Sequence, residues 1–369
     1  MRILMLSPSP ARTGGVIDFV RMVAASLSSK CELLTTTVGG DDSRLPMPVR
    51  LLRDGWALLK TIWLARPDLI HLNPSLDRAI VRDGFYLLLA RLVHRGPVVV
   101  FIHGWEESWE ARIGGSLPLR ALFRLVFGRA DRIYVLATRF REELASWGLE
   151  PDRLRVTSML YDATQFNGLT RRRPLPTDAN GLQLLFMSRL VRNKGAFETL
   201  QAFAAVAASF PTMRLVCAGD GPEKEGLQRW AHTHGLSEHQ VSFPGFVRGS
   251  EKAQLLLDSD LFVFPTHYGE GCPVSLLEAM AAGMPVITAD AGGIADVFRD
   301  GSNGVLLRAG PDYQAVAEAL GRMVSDVDAL RHMGHENHET ASGRFEARAW
   351  CRVLEADYAS LNLASRRSP

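Results

Sequence analysis

The feature that most constrains this chain is a strand and helix alternation that runs, stops and then starts again. From the first residues, short apolar runs alternate with helical spacing: "RILMLS", then Val16, Phe19, Val20, Val23 and Leu27, then "CELLTTTV". Alternation of this kind builds βαβ units, whose strands pair in parallel and are covered by helices on both faces. It continues through "DLIHLN", a helix predicted over Phe85–His94, "VVVFIH", a basic apolar helix within 111–130, and "RIYVLA". Near Asn167 the periodicity gives way to "NGLTRRRPLPTDANG", rich in Gly, Pro, Asn and Arg, which reads as a linker. The alternation restarts with "LQLLFMS", a helix predicted over Ala196–Ser209, "RLVCAG", "VSFPGF", "LFVFPT" and "PVITAD". At 369 residues the chain exceeds the roughly 250–300 that one hydrophobic core supports, so two doubly wound α/β domains are expected. A last segment, "FEARAWCRVLEADYASL", carries Phe345, Trp350, Val353, Leu354 and Tyr358 on an apolar stripe and is expected to pack back on the first domain. The expected division is 1–166, a linker 167–181, a second domain 182–344, and a returning helix and tail 345–369.

Composition removes several classes of function. Net charge is only +2, from 42 Lys and Arg against 40 Asp and Glu, which leaves no global field for nucleic acid. Cys31, Cys217, Cys272 and Cys351 lack C-x-x-C spacing, against a zinc site and against a disulfide framework, so a reducing, cytoplasmic setting is expected. The first apolar run, Ile3 to Leu6, is too short for a secretory signal, and no run approaches the roughly 18 apolar residues of a membrane span. The dinucleotide pattern G-x-G-x-x-G is absent after the first strand, as are a G-K-[ST] phosphate loop, H-E-x-x-H and an aspartate cluster for Mg²⁺. No metal and no cofactor are expected.

Ligands of open α/β sheets bind beyond the carboxyl ends of the strands, and two such domains facing each other make a cleft between them. In "HYGEGCPVSLLEAMAAGMPV" a helix is predicted from Pro273 to Ala282, with Gly283 as its cap. Backbone N–H groups around Gly271, Cys272, Pro273 and Val274 suit an anion such as a phosphate. Glu278 lies about 7 Å further along the helix, within reach of a ribose diol. Glu270 falls on the other side of the phosphate, where a sugar fits. By spacing alone, both glutamates are equally well solvated helix-end carboxylates. In "MSRLVRNKGAFETL", Arg189 follows a strand and Lys194 opens a helix, a pair suited to a diphosphate or to plain surface ion pairing. Gly14 and Gly15 end the first strand's loop, and "AGDGPEKEG" with Gly219 reads as a turn beside a nucleotide. His103, at the end of "VVVFIH", is better placed for function than His71 inside "LIHLN", although a structural histidine is the commoner outcome.

Two basic apolar stretches remain. Arg112, Arg120, Arg124 and Arg129 interleave with Leu117, Leu122, Phe123 and Phe127, while Leu52, Trp56, Leu59 and Trp63 stripe a helix flanked by Arg44, Arg50, Arg53, Lys60 and Arg66. Each is either a core face with solvated cations or a surface for an anionic bilayer.

With these residues assembled, the chain resembles the retaining glycosyltransferases of family 4, which have the GT-B fold of two facing Rossmann-like domains. "EGCPVSLLE" is similar to the family's Glu-x7-Glu motif, "SRLVRNKG" to its Arg and Lys, "GDGP" and "PGFV" to its nucleotide-side turns, and "DAGGIADVF" to the loop after the motif. The resemblance implies that Arg189 and Lys194 hold the donor diphosphate, Glu278 the ribose, Glu270 the transferred sugar and backbone near Val247 the base. It implies that Gly15 approaches the phosphates from the first domain and that His103 lies near sugar and acceptor. The implied reaction is metal-independent transfer, with retention, of a hexose-type sugar from a UDP- or GDP-sugar. The acceptor would be a glycan, a lipid-linked or a small molecule, the linkage α, in surface polysaccharide or glycolipid biosynthesis at the cytoplasmic membrane face. One departure is visible: "SMLYDATQF" stands where an Asn-Gly-Val-Asp type turn is usual. A non-catalytic nucleotide-sugar-binding subunit and a sugar-nucleotide epimerase are the alternatives, disfavoured by the retained charged residues and the Glu-x7-Glu segment respectively.

Overall fold

The computed structural model describes residues 1–9, 14–39, 46–173, 176–269 and 271–367, with the side chains of 366 and 367 left aside. Glu270, Arg44, the loop residues 11–13 and residues 174–175 of the expected linker lie outside the described residues.

Among the described residues the chain forms two six-stranded sheets, parallel throughout. The first holds β1 (Arg2–Ser7), β2 (Glu32–Thr37), β3 (Leu69–Leu72), β4 (Val98–Ile102), β5 (Arg132–Val135) and β6 (Leu154–Val156) in the order β2-β1-β3-β4-β5-β6. The second holds β7 (Gln183–Met187), β8 (Arg214–Ala218), β9 (Val241–Gly245), β10 (Leu261–Phe264), β11 (Val286–Ala289) and β12 (Gly304–Leu307) in the order β12-β11-β10-β7-β8-β9. Continuous burial along β3, β4, β7 and β10 explains why these strands read as unbroken apolar runs: helices cover both of their faces. Each order reverses once, between β1 and β3 in the first sheet and between β7 and β10 in the second. Ligands of doubly wound sheets bind at such a reversal.

Contacts divide the chain into Met1–Leu160 with Ala347–Pro369, and Tyr161–Glu346. The first unit's core joins Leu4, Leu6, Ile70, Val98, Val100 and Ile133 from alternate strand positions. Helix Ala347–Arg367 belongs to this unit, as its apolar stripe predicts: Trp350, Leu354 and Tyr358 are buried. Val353 is not part of the stripe, because one residue off the period turns it into solvent. The same helix is held by charge: Asp357 accepts from Arg132 Nη2 at 3.0 Å and from the Tyr134 hydroxyl, and Glu355 accepts from the backbone N–H of Ser28 at 2.6 Å.

The arginine-rich segment read as a linker is clamped to the second unit. Arg171 and Arg173 both pair with Asp260, which also accepts the Gln183 N–H at 2.8 Å. Asp258 accepts the Arg172 N–H at 2.7 Å and its Nε at 3.0 Å. Burial alone would raise the Asp258 carboxyl, but the Arg172 N–H and guanidinium and the Gln254 amide hold it below the ordinary value. The basic apolar stretch at 111–130 is two helices, Glu107–Gly114 and Leu117–Phe127, with Phe123 and Phe127 in the core and Leu117, Leu122 and Leu125 exposed.

Candidate functional site

The reversal between β7 and β10 in the second unit gathers most of the residues singled out above. The loop after β7 carries Arg189 and the 3-10 turn Arg192–Lys194, and the loop after β10 leads to helix Val274–Ala281. The two loops are stitched together: the Asn193 carbonyl accepts the His267 N–H at 2.9 Å and the Thr266 hydroxyl at 3.3 Å. Gly195 permits this approach, because its φ is +84° and a Cβ there would lie 2.3 Å from the Pro265 oxygen. Any larger residue would push the loops apart.

Lys194 is buried, with its ammonium 4.4 Å from the Tyr268 ring centre. Burial, and then the positive charge of exposed Arg189, pull its pKa down to about 8. A cation held this way is stabilised by an arriving anion. Beside it, helix Val274–Ala281 starts one residue later than expected, because Pro273 takes extended backbone and caps it; Pro273 also has no N–H to offer. Its N-cap residue makes no side-chain hydrogen bond, which leaves first-turn N–H groups and the positive end of the helix dipole in the segment that follows β10. Ala196–Ala207, the helix that Lys194 precedes, likewise has no side-chain cap.

Glu278 is buried on the helix rather than solvated. Its Oε1 accepts from Lys252 Nζ at 2.6 Å and from Gln165 Nε2 at 3.2 Å. Both donors use one oxygen, which fixes the carboxylate plane and directs Oε2 elsewhere. Lys252, from helix Gly249–Asp258, and Gln165, within the "SMLYDATQF" departure, are residues that sequence reasoning missed as partners of Glu278, since neither is near it in the chain. Tyr268 was within the quoted stretch, but only the fold turns its ring toward Lys194. On the next strands, Gly219 with φ +142° follows β8 and donates its N–H to the Gly245 oxygen at 2.7 Å, which sets the "GDGP" turn beside the buried Val247.

In the first unit, Gly15 opens helix Gly15–Ser26 after β1 and is exposed, with Gly14 as its cap at φ +151°. His103 follows β4 and packs against aromatic rings, stacked on Phe101 at 4.3 Å and edge-on to Phe19 at 4.6 Å. Asn73, after β3, donates its amide to the Leu6 oxygen at 2.9 Å, so its Oδ1 accepts from His103 Nε2 at 2.8 Å. That assigns the proton to Nε2 and leaves Nδ1 buried, without a partner among the described residues. Burial, then nearby His71, hold the His103 pKa well below the ordinary value, and burial takes His71 down to about 3. Both imidazoles are neutral. His71 is fully buried in β3 and shares a hydrogen bond with the Tyr358 hydroxyl.

Comparison with known proteins bears on the family and the fold. The family model of glycosyl transferases group 1 matches residues 170–340, and that of the glycosyl transferase 4-like domain matches residues 20–159. The chain belongs to the family 4-like glycosyltransferases. Among relatives of this family 4-like chain, a putative colanic acid biosynthesis glycosyltransferase, WcaL of Salmonella typhimurium, is 28% identical over 71% of this chain and 64% of its own length. The chain thus spans a little under two thirds of that protein. A GDP-mannose-dependent phosphatidylinositol monomannoside mannosyltransferase of Mycobacterium tuberculosis is 28% identical over 70% of this chain and 69% of its own. The crystal structure of Anabaena HepE with UDP and glucose has a TM-score of 0.68 at 20% identity, covering 98% of this chain and 100% of that one. At that identity it speaks for the fold, which is the GT-B fold of these glycosyltransferases.

Proposed function

We propose that this family 4-like chain transfers a hexose-type sugar from a UDP- or GDP-sugar to a glycan or lipid-linked acceptor, with retention and without a metal ion. The observation that supports the reading is the β7–β10 reversal, where the loop after β7 carries buried Lys194 and the loop after β10 leads into the helix that holds Glu278. Breaking the bond between the anomeric carbon and the diphosphate leaves negative charge on the diphosphate. Arg189, Lys194 and the N–H groups at the start of Val274–Ala281 are suited to receive that charge, the part a metal plays elsewhere. Glu278, oriented by Lys252 and Gln165, accepts the ribose hydroxyls through Oε2, with Lys252 as the positioning group. Gly219 and backbone near Val247 take the base, Gly15 approaches the phosphates, and Glu270 contacts the sugar. His103, neutral and tied to Asn73, orients sugar or acceptor and takes up no proton at ordinary pH. The relatives, a putative colanic acid biosynthesis glycosyltransferase and a phosphatidylinositol monomannoside mannosyltransferase, support a polysaccharide or glycolipid acceptor and action at a membrane surface.

Thermal shift with UDP, GDP and their sugars tests the reading, because a ligand at about 100 times its Kd stabilises by roughly 2.7 kcal/mol. The expected outcome is stabilisation by one nucleoside diphosphate and a larger one by its sugar, with chromatography then detecting a new glycoside. If none of these compounds shifts the melt, the donor assignment fails.

A further inference from the structure

Helix Met47–Ala65 of the first unit has two apolar faces, and the fold uses only one. Gly55, Leu58 and Ile62 are buried. At about 100° per residue, Leu52, Trp56, Leu59 and Trp63 form an adjoining stripe whose centre lies about 100° round the helix from that of these three. Trp56 is 71% exposed, Trp63 73% and Leu52 67%. An ordinary surface helix carries polar residues there. Trp56, Leu59 and Trp63, with Val93 from the end of the neighbouring helix, wall a cavity of about 1020 Å³ that opens at the amino ends of β3 and β4. Its rim carries Lys60, Arg66 and Arg95 against one acid, Asp68, whose carboxylate accepts the Arg2 N–H at 2.8 Å. Among the described residues, no helix is long and apolar enough to cross a membrane.

We propose that this face docks the protein on an anionic bilayer, with the Trp56 and Trp63 rings at the headgroup boundary and Lys60, Arg66 and Arg95 against lipid phosphates. The helix, about 28 Å long at 1.5 Å per residue, lies along the surface rather than through it. Charge complementarity selects the occupant. Indole rings with an apolar body and a polar N–H suit an interface that is wet on one side, and the cations beside them suit a negative one. A second copy fits poorly, since a two-fold contact through this helix brings the same cationic rim against itself. The inference stands apart from the glycosyl-transfer reading, because none of these residues belongs to the β7–β10 site.

Vesicle flotation of the full chain tests it, using phosphatidylcholine alone and phosphatidylcholine with phosphatidylglycerol. The protein is expected to float with the anionic vesicles only, and less so as salt shortens the reach of the cations. Trp56→Ser with Trp63→Ser is expected to weaken anionic-vesicle binding about tenfold or more, through lost burial of apolar ring surface. Because both side chains are exposed, the melting temperature should hold, and Leu122→Ser on a separate exposed patch should float as wild type. Lys60→Gln with Arg66→Gln should remove most of the preference for anionic lipid. The proposal is overturned if the wild type fails to float with anionic vesicles, floats equally with neutral ones, or if the double Trp variant floats unchanged. It is also overturned if light scattering finds a wild-type dimer that the double Trp variant dissolves. Donor thermal shift on the same samples separates this outcome from failure of the transferase reading.

Discussion

The carboxyl ends of the two sheets are built from the same alternation and differ in chemistry. In the first unit the loops after β3 and β4 present Asn73 and His103, with Phe19 and Phe101 packed on the imidazole, which is neutral. In the second, the loops after β7 and β10 present Arg189, Lys194, Tyr268 and an uncapped helix end, with Glu278 fixed by Lys252. Parallel strands only guarantee that loops converge at a reversal of strand order; the residues on those loops decide what converges there. Among the described residues, the part of the first edge around His103 is aromatic and neutral, suited to orienting a neutral group. The second holds positive charge ready for an anion.

The same contrast extends to how each unit holds the segment that crosses to it. Asp260 binds Arg171 and Arg173 with its side chain 5% exposed, while Asp357 binds Arg132 at 25%. Removing an acid from a buried cluster strands its cations, and the cost grows with burial. Asp260→Ala is therefore expected to show the largest effect, lowering the stability of the second unit by about 3 kcal/mol. Asp357→Ala should cost the first unit about half of that, because water reaches the stranded Arg132 more easily. Urea unfolding followed by a probe in each unit checks both. Equal losses would mean that burial does not set the difference.

Lys194→Met probes the charged edge directly. Loss of a charge-assisted contact to the donor diphosphate should weaken donor affinity about 10- to 100-fold, measured by calorimetry. Because the Lys194 ammonium also lies 4.4 Å from the Tyr268 ring, the melting temperature of the unliganded variant is measured alongside, which separates lost packing from lost donor binding. A variant that binds donor normally breaks the contrast between the two edges.

Much of this was legible in the sequence, and the reasons for the remainder are specific. The strands were readable because burial on both faces forces continuous apolar runs, as in "VVVFIH" and "LFVFPT". The placement of Arg189, Lys194 and Gly271 to Val274 between a strand and a helix was readable, because such turns are a matter of local spacing. Lys252 and Gln165 were not: they reach Glu278 across 26 and 113 residues of sequence, and only the packed fold creates that contact. The arginines 171–173 read as linker because the aspartates that hold them come 85 or more residues later, at the end of helix Gly249–Asp258 and just before β10. Val353 was misplaced because a broad stripe read by eye does not separate residues that differ by one position in helical phase.

The pH dependence of donor binding gives a finer test of the second edge. With the Lys194 pKa near 8, its ammonium is mostly protonated at pH 7 and mostly neutral at pH 9, so donor affinity should fall about tenfold over that interval. Stability has the opposite sign. The unfolded chain retains the ordinary, higher lysine pKa, so between about 8 and that value it binds more protons than the folded state, and this group makes stability rise with pH. Alkaline unfolding would weaken binding and stability together, whereas Lys194 predicts that they diverge. Lys194→Met should remove the slope in affinity.

The smallest expected effect belongs to the first edge, and its value lies in being near zero. Burial and the neighbouring His71 keep His103 neutral, and its tautomer is set by Asn73 Oδ1. The pH profile of transfer between about 5 and 8 should therefore show no ionisation from His103, although this is the range in which an ordinary histidine titrates. Asn73→Asp changes that balance without changing the shape of the side chain. A carboxylate in place of the Oδ1 acceptor stabilises the imidazolium, so the His103 pKa should rise and a new acidic-side ionisation should enter the profile. Imidazole resonances followed by nuclear magnetic resonance check both proteins. If wild-type His103 titrates near its ordinary value, its aromatic surroundings do not keep it neutral, and the contrast with the cationic second edge fails on that side.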